Sequence, residues 1–127
     1  MEPIKISTSV ADMRKEIFRL TEARDFLGAY RHLISHGFTA EAAPSLWELL
    51  ARRCTEFGAT KLACDLHRAL WEIGIISADS AIVLAEDALA QNDRPSAEAI
   101  VIEAFGPAPD EERARQILAR VADGQSR

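Results

Sequence analysis

Apolar residues return at helical spacing along almost the whole chain. Val10, Met13, Ile17 and Leu20 predict a helix over about Val10–Ala23, opened by Ser9 with Asp12 three residues on. Phe26, Ala29, Tyr30 and Leu33 predict a second over about Asp25–His36, closed by a left-handed Gly37. Leu46, Trp47, Leu50, Ala51 and Cys54 predict a third over about 44–57, with Pro44 in its first turn and Gly58 behind it. Leu62, Ala63, Leu66, Leu70 and Trp71 mark a fourth over about 60–73, with Thr60 as its cap and Gly74 at its end. Ser77 caps a fifth over about 78–91, and Asn92-Asp93 turns the chain into a sixth over about 94–105, with Pro95 near its start. Gly106-Pro107-Ala108-Pro109 is the hardest break. A seventh helix follows over about 110–122, acidic at Asp110-Glu111-Glu112 and basic later at Arg113, Arg115 and Arg120, which matches the helix dipole. The first nine residues read as an extended leader, 38–43 as a connection with partial helical character, and 123–127 as a frayed tail.

The helices repeat. Ala29, Ala63 and Ala97 stand 34 residues apart, and Ile17, Ala51 and Ala85 share a second column. Leu20, Cys54 and Ala88 share a third, Leu33, His67 and Val101 a fourth, and Leu50 and Leu84 also coincide. Such a period is that of a helix–turn–helix solenoid. One hairpin exposes an apolar face it cannot bury alone, so stacked neighbours supply the cover. The chain is therefore expected to be an all-α protein, an α-α superhelix forming a single domain over 1–127. Its units would span about 10–43, 44–77 and 78–109, with a capping helix over about 110–122. Ala114, Ile117, Leu118 and Val121 give that last helix the single narrow apolar stripe a cap requires. Small residues in the Ala29, Ala63 and Ala97 column would let the two helices of each unit approach closely.

Composition narrows the function more than it names it. The 127 residues are 48% apolar and 28% charged, ordinary for a folded domain, and the net charge of −5 lacks the basic excess of a nucleic-acid module. No apolar run approaches the ~20 residues that span a bilayer, so no membrane insertion is expected. Met1–Ile6 lacks the pattern of a secretory leader, and Cys54 and Cys64 do not make a disulfide framework. A cytoplasmic protein with reduced thiols is expected. The Ala/Arg-rich style of the sequence suggests a bacterial source.

In the third unit Leu84-Ala85 forms a large-then-small pair, Ala97 and Ala104 are small, and Pro109 closes the unit. The second has Trp47, Leu50, Ala51 and Ala63 in the matching places, and the first keeps Ala29. In these positions the chain resembles a tetratricopeptide-repeat array over about Val10 to Val121. It departs from that pattern at His67, Leu70 and Ile75, at Glu16-Ile17, and where Leu20, Cys54 and Ala88 replace the tyrosine of the first helices. The resemblance implies a concave groove lined by the first helix of each unit. By register the groove would present Arg14, Phe18 and Glu22, then Glu48, Arg52, Thr55 and Glu56, then Asp79, Ile82, Glu86 and Leu89. That mixture of cations, acids and apolar anchors suits a peptide or helix of a partner protein. The carboxylate-clamping lysine and asparagine of some relatives are not evident.

Other candidate chemistry is sparse. His32 and His36 lie one turn apart on one face, a spacing that zinc can use, yet no further ligand pattern accompanies them. Cys54 falls on an apolar stripe, which reads as an inert thiol, and the acidic pairs read as solvated helix surface. No glycine-rich phosphate loop is present. A non-enzymatic scaffold without metal or cofactor is the expectation. A secretion or assembly chaperone of the same fold, or the interaction domain of a larger enzyme, are the alternatives, and self-association is the remaining one. Trp47 is expected in the core. Trp71 with Ile73, Ile75 and Ile76 forms an apolar corner that reads either as core or as a docking patch.

Overall fold

The computed structural model describes residues 9–125. Among them are seven helices and no strand: α1 (Val10–Glu22), α2 (Phe26–Ser35), α3 (Pro44–Glu56), α4 (Thr60–Glu72), α5 (Ala78–Ala90), α6 (Arg94–Phe105) and α7 (Glu112–Gln125). The fold class is all-α, and helices pack against their neighbours in sequence. The leader, residues 1–8, and Ser126 and Arg127 lie outside the described residues.

The local reasons are those of helix ends. Ser9 Oγ accepts the Asp12 N–H at 3.0 Å and Ser77 Oγ the Ser80 N–H at 3.1 Å, each satisfying a donor the helix leaves orphaned. Asp25 does the same for Gly28 at 3.0 Å and Asp93 for Ser96 at 3.3 Å. Thr60 is not the cap of α4. That position falls to Ala59, which offers no side-chain bond, and the Thr60 hydroxyl donates to the Gly58 carbonyl at 3.2 Å. α7 starts two residues later than expected because Glu111 Oε1 accepts the Ala114 N–H at 2.8 Å and so stands outside the first turn. It also continues through Gln125, so Asp123–Gln125 are helical rather than frayed.

The 34-residue period is carried by the backbone as well as by side chains. First helices begin at Val10, Pro44 and Ala78, and second helices at Phe26, Thr60 and Arg94, each 34 residues after the last. The turn inside every hairpin places one residue in the left-handed region: Arg24 at φ 65°, Gly58 at 84° and Asn92 at 63°. The next amide reaches back to the same carbonyl each time, Asp25 to Leu20, Ala59 to Cys54 and Asp93 to Ala88, all at 2.8 Å. This closure satisfies a terminal carbonyl and swings the chain round within three residues. Because it depends on φ rather than on side-chain identity, Arg, Gly and Asn can stand in one column.

The contacts divide the chain into two compact units, Met1–Ile73 and Gly74–Arg127. In the first, α1 packs on α2 and α3, and α3 on α4. Its core includes Met13, Ile17, Leu33, Leu46, Leu50, Leu66 and Leu70, with Ala29 and Ala63 fully buried at the helix crossings. Trp47 is buried there as expected; its indole N–H donates to the Phe38 carbonyl at 2.8 Å and its ring meets the Tyr30 ring edge-on at 5.7 Å. In the second unit α5 pairs with α6, and α7 lies on both. Ile82, Ala85, Ala97, Val101, Ala114, Ile117 and Val121 form its core. The expected apolar stripe of α7 is thus the one it buries.

Candidate functional site

α3 meets α1 through one arginine that the sequence reading passed over. Arg53 is only 13% exposed and reaches from α3 to the end of α1, where its Nε–H donates to Thr21 Oγ1 at 3.0 Å. The Thr21 hydroxyl in turn donates to the Ile17 carbonyl at 2.7 Å, so the buried oxygen is fully used. The Arg53 guanidinium lies 4.6 Å from the Phe18 ring centre and 4.9 Å from that of Phe57. Arg24 covers Phe57 from its own side at 4.0 Å, and Phe26 packs against Phe57 at 6.2 Å. Two carboxylates complete the cluster: Glu22 at 3.4 Å and Glu56 at 3.5 Å from Arg53. Flat guanidinium on aromatic faces, with acids at the rim, is a geometry that arginine supplies and lysine does not.

The groove residues expected in the first two hairpins fall around this cluster. Phe18 is 39% exposed, the one large aromatic ring on the open side of α1. Arg14 is one turn before it and exposed, and Arg52, which occupies on α3 the register of Phe18, is exposed too. Glu48 is half-buried, and Thr55 turns its hydroxyl back to the Ala51 carbonyl at 3.0 Å. Glu22 and Glu56 are held by Arg53. Arg14, Lys15, Arg52 and Glu48 have no ion-pair partner among the described residues.

The four groove residues expected on α5 are placed differently. Asp79 is exposed in the first turn. Ile82 is 4% exposed and belongs to the apolar core beneath α7, and Leu89 packs against that core. Glu86 accepts from Arg113 of α7 on both oxygens at 2.9 Å. The physical reason is that α7 needs a partner for Ala114, Ile117 and Val121 and takes it from α5 and α6. An open concave face on α5 therefore does not extend to Ile82, Glu86 or Leu89.

The remaining candidates resolve locally. The His32 and His36 rings meet edge-on with centres 4.4 Å apart, and His36 Nδ1 lies 3.0 Å from the His32 carbonyl. No group of three metal-ligating side chains occurs among the described residues. Cys54 is fully buried, and that burial pushes its thiol up to about 11, far from the thiolate a nucleophile requires. Of the apolar corner, Trp71, Ile73 and Ile75 are half-buried and Ile76 is exposed. An open depression of about 590 Å³ lies between the turns of the first two hairpins, lined by Arg24–Leu27 and Gly58–Leu62. Its charged groups are engaged locally: Asp25 caps α2, Lys61 pairs with Asp65 at 3.7 Å, and Arg24 covers Phe57. No described helix is long and apolar enough to cross a membrane.

The fold is thus that of an all-helical protein whose hairpins repeat at a fixed period. In comparisons with known proteins, no family model, no curated protein and no solved structure matches the chain.

Proposed function

We propose that this chain is a non-enzymatic scaffold of the tetratricopeptide-repeat kind, acting in the cytoplasm and holding a peptide or helix of a partner protein against the open face of α1 and α3. The observation that carries the reading is the recurrence of helix start, left-handed turn and backbone closure every 34 residues. Stacked hairpins of this type offer extended, rigid surfaces made from first helices, and such surfaces bind rather than transform. The exposed Phe18 supports the choice of face, since aromatic side chains on a rigid helix are favoured anchors for a partner. The buried, neutral thiol of Cys54 and the locally engaged acids speak against nucleophilic or acid–base chemistry.

The test is affinity capture with the full chain, read by mass spectrometry. Wild type is compared with the double variant Arg14→Glu plus Arg52→Glu, both verified as folded by circular dichroism. A protein retained by wild type and lost by the variant supports the scaffold reading on this face. A turnover activity in the purified chain, or retention by both forms, contradicts it.

A further inference from the structure

We infer that the partner segment docked on α1 and α3 is acidic and carries one bulky apolar side chain. The apolar residue seats on Phe18, and the carboxylates face Arg14, Lys15 and Arg52. This rests on the scaffold reading above and adds to it the chemistry of the occupant. The argument is charge complementarity left over after internal pairing. The carboxylates of Glu22 and Glu56 are already engaged by Arg53, at 3.4 and 3.5 Å. What remains without an ion-pair partner among the described residues is three exposed cations, Arg14, Lys15 and Arg52, against one half-buried carboxylate, Glu48. A cationic remainder runs against the chain as a whole, whose net charge is −5. It sits around an exposed aromatic ring whose orientation is held by the Arg53 guanidinium at 4.6 Å. A held ring loses little side-chain freedom when a partner covers it, which favours it as the anchor. Flanking cations steer an acidic segment toward it and reject basic ones.

The inference is tested with random short peptides displayed on phage and selected on the full-length wild type. Enriched peptides are then measured by fluorescence anisotropy at low and high salt. Acidic sequences containing a Leu, Ile, Phe or Trp are expected, with binding that weakens as salt rises. The Arg14→Glu plus Arg52→Glu variant should bind them roughly tenfold or more weakly, and Phe18→Ala should lose a similar factor. The milder Arg14→Gln plus Arg52→Gln variant gives the same direction should the reversed form fail to fold. Selection of basic or uncharged peptides overturns the inferred chemistry but leaves the scaffold reading standing, because a peptide is still bound. Acidic peptides held equally by wild type and charge variants overturn the assigned face. Enrichment of no peptide at all overturns the inference, and the protein-capture experiment then decides separately whether the scaffold reading survives.

Discussion

Arg53→Ala is the substitution that most directly tests how the first two hairpins are joined. Four interactions leave with the side chain. The bond to buried Thr21 at 3.0 Å is worth about 1 kcal/mol. Each aromatic face, at 4.6 and 4.9 Å, contributes about 0.5–1 kcal/mol to a guanidinium that is largely desolvated. The ion pairs add little, about 0–1 kcal/mol together, because the side chains of Glu22 and Glu56 are 71% and 53% exposed. The Thr21 hydroxyl keeps its bond to Ile17, so no buried polar group is orphaned. The expected loss is therefore about 2–4 kcal/mol, a large share of the total stability of a domain. Arg53→Lys retains the charge and much of the stem but not the planar fork, and is expected to lose about half as much. Urea unfolding followed by tryptophan fluorescence reads this directly, since Trp47 and Trp71 both belong to the Met1–Ile73 unit. Circular dichroism follows both units. A loss below ~0.5 kcal/mol for Arg53→Ala, or a lysine variant as stable as wild type, would refute the role given to the guanidinium geometry.

Three further outcomes follow from the same structure. Ala63→Leu should overpack the α3–α4 hairpin, where Ala63 is fully buried, and lower stability by about 1–3 kcal/mol in urea unfolding; an unchanged midpoint would remove Ala63 from the helix crossing. Gly58→Ala meets no atom within 4 Å yet must hold φ near 84°, so calorimetry should show a loss of about 1 kcal/mol from backbone conformation alone. Cys54 is held neutral by burial, so its stabilising share is whole below the ordinary thiol value of 9.0 and is lost as pH rises toward about 11. Unfolding titrations from neutral to alkaline pH should show wild type losing stability over that window relative to Cys54→Ala, and parallel curves would count against it.

Much of the helical framework was legible from local sequence because its causes are local. Apolar spacing placed the helices, proline suited the first turns of α3 and α6, and Ser9, Asp25, Ser77 and Asp93 could satisfy orphan amides wherever those helices packed. The period was visible too, since buried columns such as Ala29, Ala63 and Ala97 must stay small or apolar to let helices cross. Even so, the cap of α4 was misplaced at Thr60, because the Ala59 turn is set by the backbone closure to Cys54 and not by the best capping side chain.

The site was less legible, and for a different reason. Arg52 and Arg53 are identical neighbours that a helix points about 100° apart, and nothing local says which of them turns to α1. The docking of α3 decides it, burying Arg53 against Phe18 and Thr21 and leaving Arg52 in solvent. On α5 the sequence could show that Ile82, Glu86 and Leu89 share a face. Only the packing of α7 settled that this face is covered, with Ile82 in the core and Glu86 joined to Arg113. Sequence alone thus determined the helices, their period and the kind of side chain each column holds, because backbone dihedrals and helical spacing are properties of short stretches. Which charges remain free and which aromatic stays open is a property of how distant stretches cover one another, and that was decided by the tertiary structure.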